Sequence, residues 1–271
     1  MDAALFQRFA DLVYEQAGIT LRPGKEALVH ARVAKRLRAL SLPDEAEYLR
    51  FLERDESGDE LVHFLDAIST NFTSFFRESD HFENLRDHVQ SRLAEGQNRL
   101  RIWCAAASSG EEPYSIAMTV HEVIEHRRVD FRMLATDIST KVLHKAMTGE
   151  YDASRLTTLT PQQMLKYFTR LDDGEDREEK RYVVSPALRD YIVFKRLNLS
   201  TPPFPMSGPM DIVFCRNVMI YFDNAVRQRL VAEIERLLAP GAILFVGHTE
   251  TLTGINTGLR MVRPSVYWKP E

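Results

Sequence analysis

Cysteine is scarce in this chain: two residues in 271, Cys104 and Cys215, far apart and without a CxxC spacing. Neither a disulfide framework nor a cysteine-built zinc site fits that count, and both thiols are expected to be buried on strands. No window comes near the roughly 18 uncharged apolar residues that a membrane-spanning helix needs. The opening Met1-Asp2-Ala3-Ala4-Leu5-Phe6 lacks the basic and apolar regions of a signal peptide, so a cytoplasmic protein is expected. Basic excess is missing too: 35 Lys and Arg stand against 39 Asp and Glu, a formal net charge of −4. A general nucleic-acid binder carries the opposite balance, because neutralising phosphates requires Lys and Arg. Gly and Pro number twelve each, too few for a collagenous or low-complexity chain. The eight histidines show no metal-ligand spacing, and no metal is expected.

What remains is a soluble globular chain, 44% hydrophobic and 27% charged, long enough for one large domain or two smaller ones. Residues 1 to about 95 read almost entirely as helix. Apolar positions recur at three and four in 5-LFQRFADLVYEQAG-18, 28-LVHARVAKRLRAL-40, 46-AEYLRFLE-53, 60-ELVHFLDAI-68 and 80-DHFENLRDHVQSRLAE-95. Gly18, Pro43, Gly58 and Gly96 punctuate them. The expectation is a small helical bundle.

Beyond residue 98 short apolar runs alternate with helical patterns. Strands are expected at 99–104, 131–136, 211–215 and 242–246, and helices at 110–127, 139–147 and 224–238. That alternation predicts βαβ units in a doubly wound parallel sheet, with Ser265–Trp268 as a closing edge strand. Residues 150–200 interrupt it with a helix at 160–168, the charged loop 172-DDGEDREEKR-181, and strand candidates at 182–184 and 191–194. These predict a small antiparallel β insert.

The segment 100-LRIWCAAASSGEEPYSIAM-118 is a strand, a small-residue turn and a helix start, placed where a doubly wound sheet binds its ligand. The GxGxxG of a dinucleotide site is absent, and Glu111 and Glu112 occupy the helix start where a pyrophosphate would sit. Carboxylates there suit a cofactor with a positive end and no phosphate; S-adenosylmethionine fits, and the missing glycines and paired glutamates disfavour the nicotinamide oxidoreductase that is the third option. A capping box, Ser109-x-x-Glu112, explains the same residues without any ligand.

Asp137 closes the second strand, about 25 residues beyond the glutamates. An acidic residue there accepts ribose hydroxyls, or it caps the helix that follows; its spacing from the small-residue turn favours ribose. After the strand at 211–215 come Arg216, Asn217 and Tyr221, directed at the same cleft, and 202-PPFPMSGP-209 is expected to form a rigid loop beside it. The linker Ser69–Arg77 mixes hydroxyl and amide groups with three phenylalanines. It is either a buried hinge or a cofactor-covering segment that uses Asn71, Thr73 and Arg77.

The pieces 70-TNFTSFFR-77, 104-CAAASSGEEPYSIAM-118, 135-ATDIS-139, 214-FCRNVMIYF-222 and 247-GHTE-250 lie in order along both halves of the chain. Together they resemble the CheR family of chemotaxis receptor methyltransferases, which esterify glutamate side chains of bacterial chemoreceptors. The resemblance implies an N-terminal helical domain (1–78) and an S-adenosylmethionine-binding Rossmann-like domain (79–271) carrying the β insert. It implies that Asn71, Thr73, Arg77 and Glu112 line the cofactor pocket and that Asp137 takes the ribose hydroxyls. Asn198 and Leu199 would lie beside the adenine, Arg216 and Asn217 would complete the pocket, and Arg77 and Tyr221 would sit closest to the transferred methyl, which leaves S-adenosylhomocysteine as product.

Residues 22–38 carry six basic groups against Glu26 alone. On a helix, Lys25, Arg32 and Arg36 share one narrow arc beside Lys35. Such a face is either merely solvated or steers an acidic helical partner. In the family the corresponding helix faces the receptor's methylation helices, which makes Arg32, Lys35, Arg36 and Arg38 the substrate-binding candidates. Some members hold a receptor's C-terminal tethering peptide on the β insert; the acidic loop 172–179 resembles the kind that does not. The expected partner is the cytoplasmic helical domain of chemoreceptors, met by a monomer without nucleic acid or membrane insertion. Alternatives are a methyltransferase for another sensory-array protein and a non-catalytic S-adenosylmethionine sensor or scaffold.

Overall fold

A computed structural model describes residues 1–68, 72–172 and 180–271. The chain opens with α1 (Ala3–Ala17), α2 (Glu26–Leu40), α3 (Glu45–Arg54) and α4 (Asp59–Ile68). Asp2 caps α1 by accepting the Leu5 N–H at 2.8 Å, and Gly18 ends it in the left-handed region at φ 68°, where a residue without Cβ is favoured. The three-and-four spacing puts Phe6, Phe9 and Val13 on one side of α1. They pack with Val29 and Val33 of α2, Tyr48 and Leu52 of α3, and Phe64 and Ile68 of α4. The Phe9, Tyr48 and Phe64 rings meet at centroid distances of 5.5 to 6.2 Å.

Helix α5 (Asp80–Ala94) departs from the bundle expectation. Its Phe82, Leu85 and Val89 are buried in the core of the sheet with Ile116 and Val120 of α6 (Glu111–Ile124), so periodicity correctly marks the helix but not what it packs on.

The remaining elements are β1 (Arg99–Cys104), β2 (Asp130–Asp137), α7 (Thr140–Thr148), β3 (Glu150–Asp152), α8 (Pro161–Tyr167), β4 (Phe168–Arg170), β5 (Arg181–Val184), α9 (Pro186–Arg189), β6 (Ile192–Arg196), β7 (Met210–Cys215), α10 (Asn224–Leu237), β8 (Leu238–Val246), β9 (Arg260–Arg263) and β10 (Val266–Trp268). Among the described residues the main sheet has the order β6-β2-β1-β7-β8-β10-β9. Its first five strands are parallel; β10 runs antiparallel to β8, and β9 to β10. The second halves of β1 (Ile102–Cys104) and β7 (Ile212–Cys215) are unbroken buried apolar runs, as expected of a sheet covered by helices on both faces. Cys104 lies in register with Ala135 and Phe214, so β1 stops two residues before the end of β2 and one before the end of β7. From β1 the chain moves outward through β2 to β6, then returns to β7 on the other side. The switch point between β1 and β7 opens the crevice where such sheets bind ligands.

Two strand assignments change. Tyr191–Phe194 was expected in the β insert; Ile192–Arg196 instead extends the main sheet, parallel to β2. The insert is the antiparallel sheet β3-β5-β4. Val266–Trp268 is not the edge: β9, exposed at all four residues, lies outside it. The acidic loop falls almost wholly in 173–179, outside the described residues.

Candidate functional site

At the carboxyl ends of β1, β2 and β7 lies a cleft of about 330 Å³, within the range of small-molecule sites. Past Cys104 the backbone stays stitched between its neighbours: the Ala105 N–H donates to Phe214 O and the Ala107 N–H to Thr136 O, both at 2.8 Å. Ala105, Ala106 and Ser108 therefore form a close floor. Gly110 has φ 99°, and a Cβ there would stand 2.6 Å from the Tyr151 hydroxyl and 3.1 Å from Ala146 Cα, so the turn into α6 requires glycine.

The two glutamates that follow diverge. Glu111 turns away and accepts from the Ser109 hydroxyl at 2.7 Å and from Arg155 Nη1 at 3.1 Å. Glu112 lines the cleft; its Oε1 accepts from the Cys104 thiol at 3.3 Å and its Oε2 from Arg216 Nη1 at 2.7 Å. The capping box does not form, since Gly110 is the N-cap and no side chain caps α6.

Arg216 is 3% exposed. Its Nη2 donates to Glu78 Oε2 at 2.9 Å and to the Arg77 carbonyl at 2.6 Å, and its guanidinium carbon lies 5.8 Å from the Phe82 ring centroid. Burial pushes the Glu112 carboxyl above its ordinary range, against the lowering pull of Arg216. Glu78 goes the other way: burial would raise it, but Arg216 and the Asn217 amide outweigh burial and hold it below the usual value. The Cys104 thiol is raised above its ordinary value by burial and then by Glu112.

Asp137 receives the Ser108 N–H on Oδ2 at 2.9 Å and the Ser139 N–H on Oδ1 at 3.0 Å. Ser139, not Asp137, caps α7, accepting from the Val142 N–H. Burial raises the Asp137 carboxyl while those two amides pull it down. Asp137 also lines the cleft, where a carboxylate can accept ligand hydroxyls.

The helical region forms the far wall with Ala17, Ile19, Thr20, Arg22 and Leu28. It is fastened by the Thr20 N–H to Tyr221 O at 2.8 Å, the Tyr14 hydroxyl to Asp223 at 2.7 Å, and Asn198 Nδ2 to Gln16 O at 2.8 Å. Asn198 also accepts from Ser200, and Leu199 beside it is buried; both line the cleft. Residues 72–77 of the linker both enter the core and line the cleft. Phe75 is buried against Tyr151 and Phe168, while Thr73 and Arg77 face the cleft. Arg77 Nη1 donates to Phe72 O at 3.0 Å, with its guanidinium over the 74%-exposed Phe72 ring. Asn71 lies outside the described residues. Asn217 and Tyr221 line the cleft. The 202–209 stretch does not: the Phe204 N–H is held by Glu233 of α10, and Gly208 packs on Leu237.

On α2, Lys35 and Arg38 are exposed and Arg32 half-exposed. Arg36 is already committed, with Nε and Nη2 bonded to the two oxygens of Glu60 at 2.8 and 2.6 Å and Tyr48 donating to the same carboxylate. A contiguous basic face looks uniform in sequence, but the buried Glu60 takes one member of it.

Glu78, His81, His248 and Glu250 escape a reading by sequence spacing. Glu78, His81 and His248 each bring one potential ligand atom within 4.8 Å of the others. Glu78 Oε2 already accepts from Arg216 and from the His248 N–H at 3.2 Å, so the cluster acts as a strut between the start of α5 and the loop after β8.

Residues 71–267 match the family described as "CheR methyltransferase, SAM binding domain", and residues 4–69 match "CheR methyltransferase, all-alpha domain". The chain is 40% identical over 264 residues to a chemotaxis protein methyltransferase of Escherichia coli K12, covering 97% of this chain and 90% of that one. Identity is 39% over 269 residues to the Borreliella burgdorferi chemotaxis protein methyltransferase, covering 97% and 93%. It is 38% over 262 residues to chemotaxis protein methyltransferase 2 of Pseudomonas aeruginosa, covering 97% and 91%. With a helical region, a mixed α/β sheet and an acidic, phosphate-averse cleft in one chain, this protein belongs to the CheR methyltransferase family.

Proposed function

We propose that this methyltransferase esterifies glutamate side chains on the cytoplasmic helical domain of bacterial chemoreceptors, with S-adenosylmethionine as methyl donor and S-adenosylhomocysteine as product. The observation that carries the reading is the pair of buried carboxylates, Glu112 in the first turn of α6 and Asp137 at the end of β2, around a floor without a phosphate cradle. This donor set fits a cofactor with cationic and hydroxyl groups. Glu112 faces the positive amino-acid end with Thr73 and Arg77; Asp137 accepts the ribose hydroxyls. Leu199 provides an apolar surface for the adenine, and Asn198 holds that end in place through Gln16 and Ser200. Arg216 and Asn217 complete the pocket.

When bound, S-adenosylmethionine would supply an electrophilic sulfonium methyl: the O–CH₃ bond to a glutamate carboxylate would form as the S–CH₃ bond breaks, with the neutral thioether as leaving group. A glutamate carboxylate, with a reference pKa of about 4.3, is ionised at neutral pH, so no general base is required. The protein's part is positioning and charge management. Arg77 and Tyr221 both line the cleft; Arg77 orients the incoming carboxylate and Tyr221 helps place the methyl or the carboxylate. Arg32, Lys35 and Arg38 offer the docking charge for an acidic helical substrate, whereas Arg36 supports the helix through Glu60. The protein acts in the cytoplasm as a monomer, independently of a receptor's C-terminal tether.

The test is transfer of labelled methyl to chemoreceptor-containing membranes, followed by alkali. Label released as methanol is the expected result, because only a carboxyl ester hydrolyses that way. Alkali-stable label would mean another acceptor and would remove the glutamate assignment.

A further inference from the structure

We infer that Glu250, which lies outside the cleft, is the positioning residue that sets the cleft's 216–221 wall and acts on cofactor binding through Asn217. The inference rests on the cleft being the S-adenosylmethionine site. Arg216, Asn217, Val218, Ile220 and Tyr221 all line the cleft, and Glu250 does not. Glu250 is 7% exposed, and its side chain is spent on backbone amides. Oε2 accepts from the Asn217 N–H and the Gly247 N–H, both at 2.7 Å, and Oε1 from the Ile220 N–H at 3.3 Å.

The reason for a carboxylate lies in the turn it holds. Asn217 sits at φ 56°, a left-handed conformation that a non-glycine residue keeps only when its surroundings hold it there. Buried donors need acceptors, and two N–H groups of this turn, Asn217 and Ile220, converge with the Gly247 N–H of the neighbouring loop on one side chain, which uses both of its oxygens. The same turn brings Asn217 against Gly247: a Cβ at Gly247 would stand 2.4 Å from Asn217 Nδ2. The 247–250 loop is itself closed by the Glu250 N–H to Gly247 O at 2.8 Å. From the other side, Glu78 Oε1 accepts from Asn217 Nδ2 at 3.2 Å. Asn217 is thus clasped by two carboxylates, its main chain by Glu250 and its side chain by Glu78.

The test is calorimetric titration of S-adenosylhomocysteine into the full chain, so that receptor and turnover play no part. Wild type, Glu250→Ala, Glu250→Gln, Asn217→Ala and the Glu250→Ala/Asn217→Ala double variant are compared, each checked for a cooperative thermal transition. Glu250→Ala should bind about tenfold more weakly or worse, equivalent to about 1.4 kcal/mol. Glu250→Gln should recover part of the affinity, because its single oxygen can still accept from Asn217 and Gly247. Should the alanine variant fail to fold, the glutamine variant carries the comparison. Because the effect runs through Asn217, adding Glu250→Ala to Asn217→Ala should cost less than about threefold, the non-additivity of coupled sites. Unchanged affinity in both Glu250 variants, or fully additive losses in the double variant, would overturn the inference. Wild type that binds no S-adenosylhomocysteine is a separate result, one that removes the cofactor reading and this inference together.

Discussion

Arg216 and Glu112, 104 residues apart in sequence, form a buried ion pair at 2.7 Å that joins the end of β7 to the first turn of α6. Truncating one member of such a pair strands the other charge and costs about 3–5 kcal/mol, whereas replacing both often costs much less. Arg216→Met should therefore destabilise the protein severely in urea denaturation, since it leaves both Glu112 and Glu78 unpaired. The double variant Glu112→Gln/Arg216→Met should regain part of that stability. It should not regain S-adenosylhomocysteine affinity, because the cleft has lost its negative end; recovered affinity would argue that the pair is a structural brace alone.

Asp137→Asn tests the ribose assignment. The amide must turn its NH₂ toward one of the two backbone N–H groups that the carboxylate now accepts, so a loss of about 1–3 kcal/mol in stability is expected. S-adenosylhomocysteine binding should fall by about tenfold or more beyond that, while a ligand lacking the ribose hydroxyls should bind wild type and variant alike. Equal losses for both ligands would leave Asp137 with the loop and not with ribose.

Stability should also depend on pH through His81. The ring is fully buried, with centroid distances of 5.3 Å to Phe245 and 4.9 Å to His248, and neither nitrogen has a hydrogen-bond partner among the described residues. Burial, reinforced by the charge of Arg216, pulls its pKa down to about 4, while Asp80 and Glu78 push weakly upward. Against an unfolded value of 6.5, the folded state binds fewer protons across that window. The contribution is therefore complete above the unfolded value and lost as pH falls toward 4. His88, held near the same value by burial and Arg92, acts with the same sign. Melting temperature should drop between about pH 7 and pH 5, and His81→Phe with His88→Phe should flatten that slope; an unchanged slope would assign it to other groups.

Much of this architecture can be read from the chain because local patterns suffice for it. The three-and-four spacing of Phe6, Phe9 and Val13 needs no partner to declare a helix. The run Ala105–Gly110 between a strand and two glutamates declares a tight, phosphate-averse turn, and Asp137 and Arg216 declare themselves by ending apolar strands. What stayed hidden depends on contacts across long sequence gaps. A short apolar run such as Ile192–Phe194 carries no mark of the sheet it will join. Arg260–Arg263, exposed throughout, shows no burial pattern at all. Arg36 looks like its neighbours until Glu60, 24 residues on, is folded against it. Glu250 reads as a loop glutamate because its partners are backbone amides, which leave no trace in side-chain identity.

The basic face of α2 yields a prediction that separates docking from scaffolding. Lys35 and Arg38 are exposed and Arg32 half-exposed, while Arg36 lies bidentate on Glu60, which also takes the Tyr48 hydroxyl. Charge reversal at Arg32, Lys35 and Arg38 should raise KM for receptor-containing membranes, with little change in melting temperature or S-adenosylhomocysteine affinity. Because steering between exposed charges is screened over about 8–10 Å at physiological salt, the wild-type KM should rise with ionic strength, and the triple variant should lose that dependence. Arg36→Ala should behave in the opposite way. It leaves the nearly buried Glu60 carboxylate and Tyr48 without their cation, so its cost should appear in urea denaturation, at about 3 kcal/mol or more, and only weakly in the salt dependence of KM. If Arg36→Ala instead leaves stability intact and raises KM as the exposed residues do, the guanidinium must exchange Glu60 for a receptor carboxylate on binding, and α2 docks with all four of its basic groups.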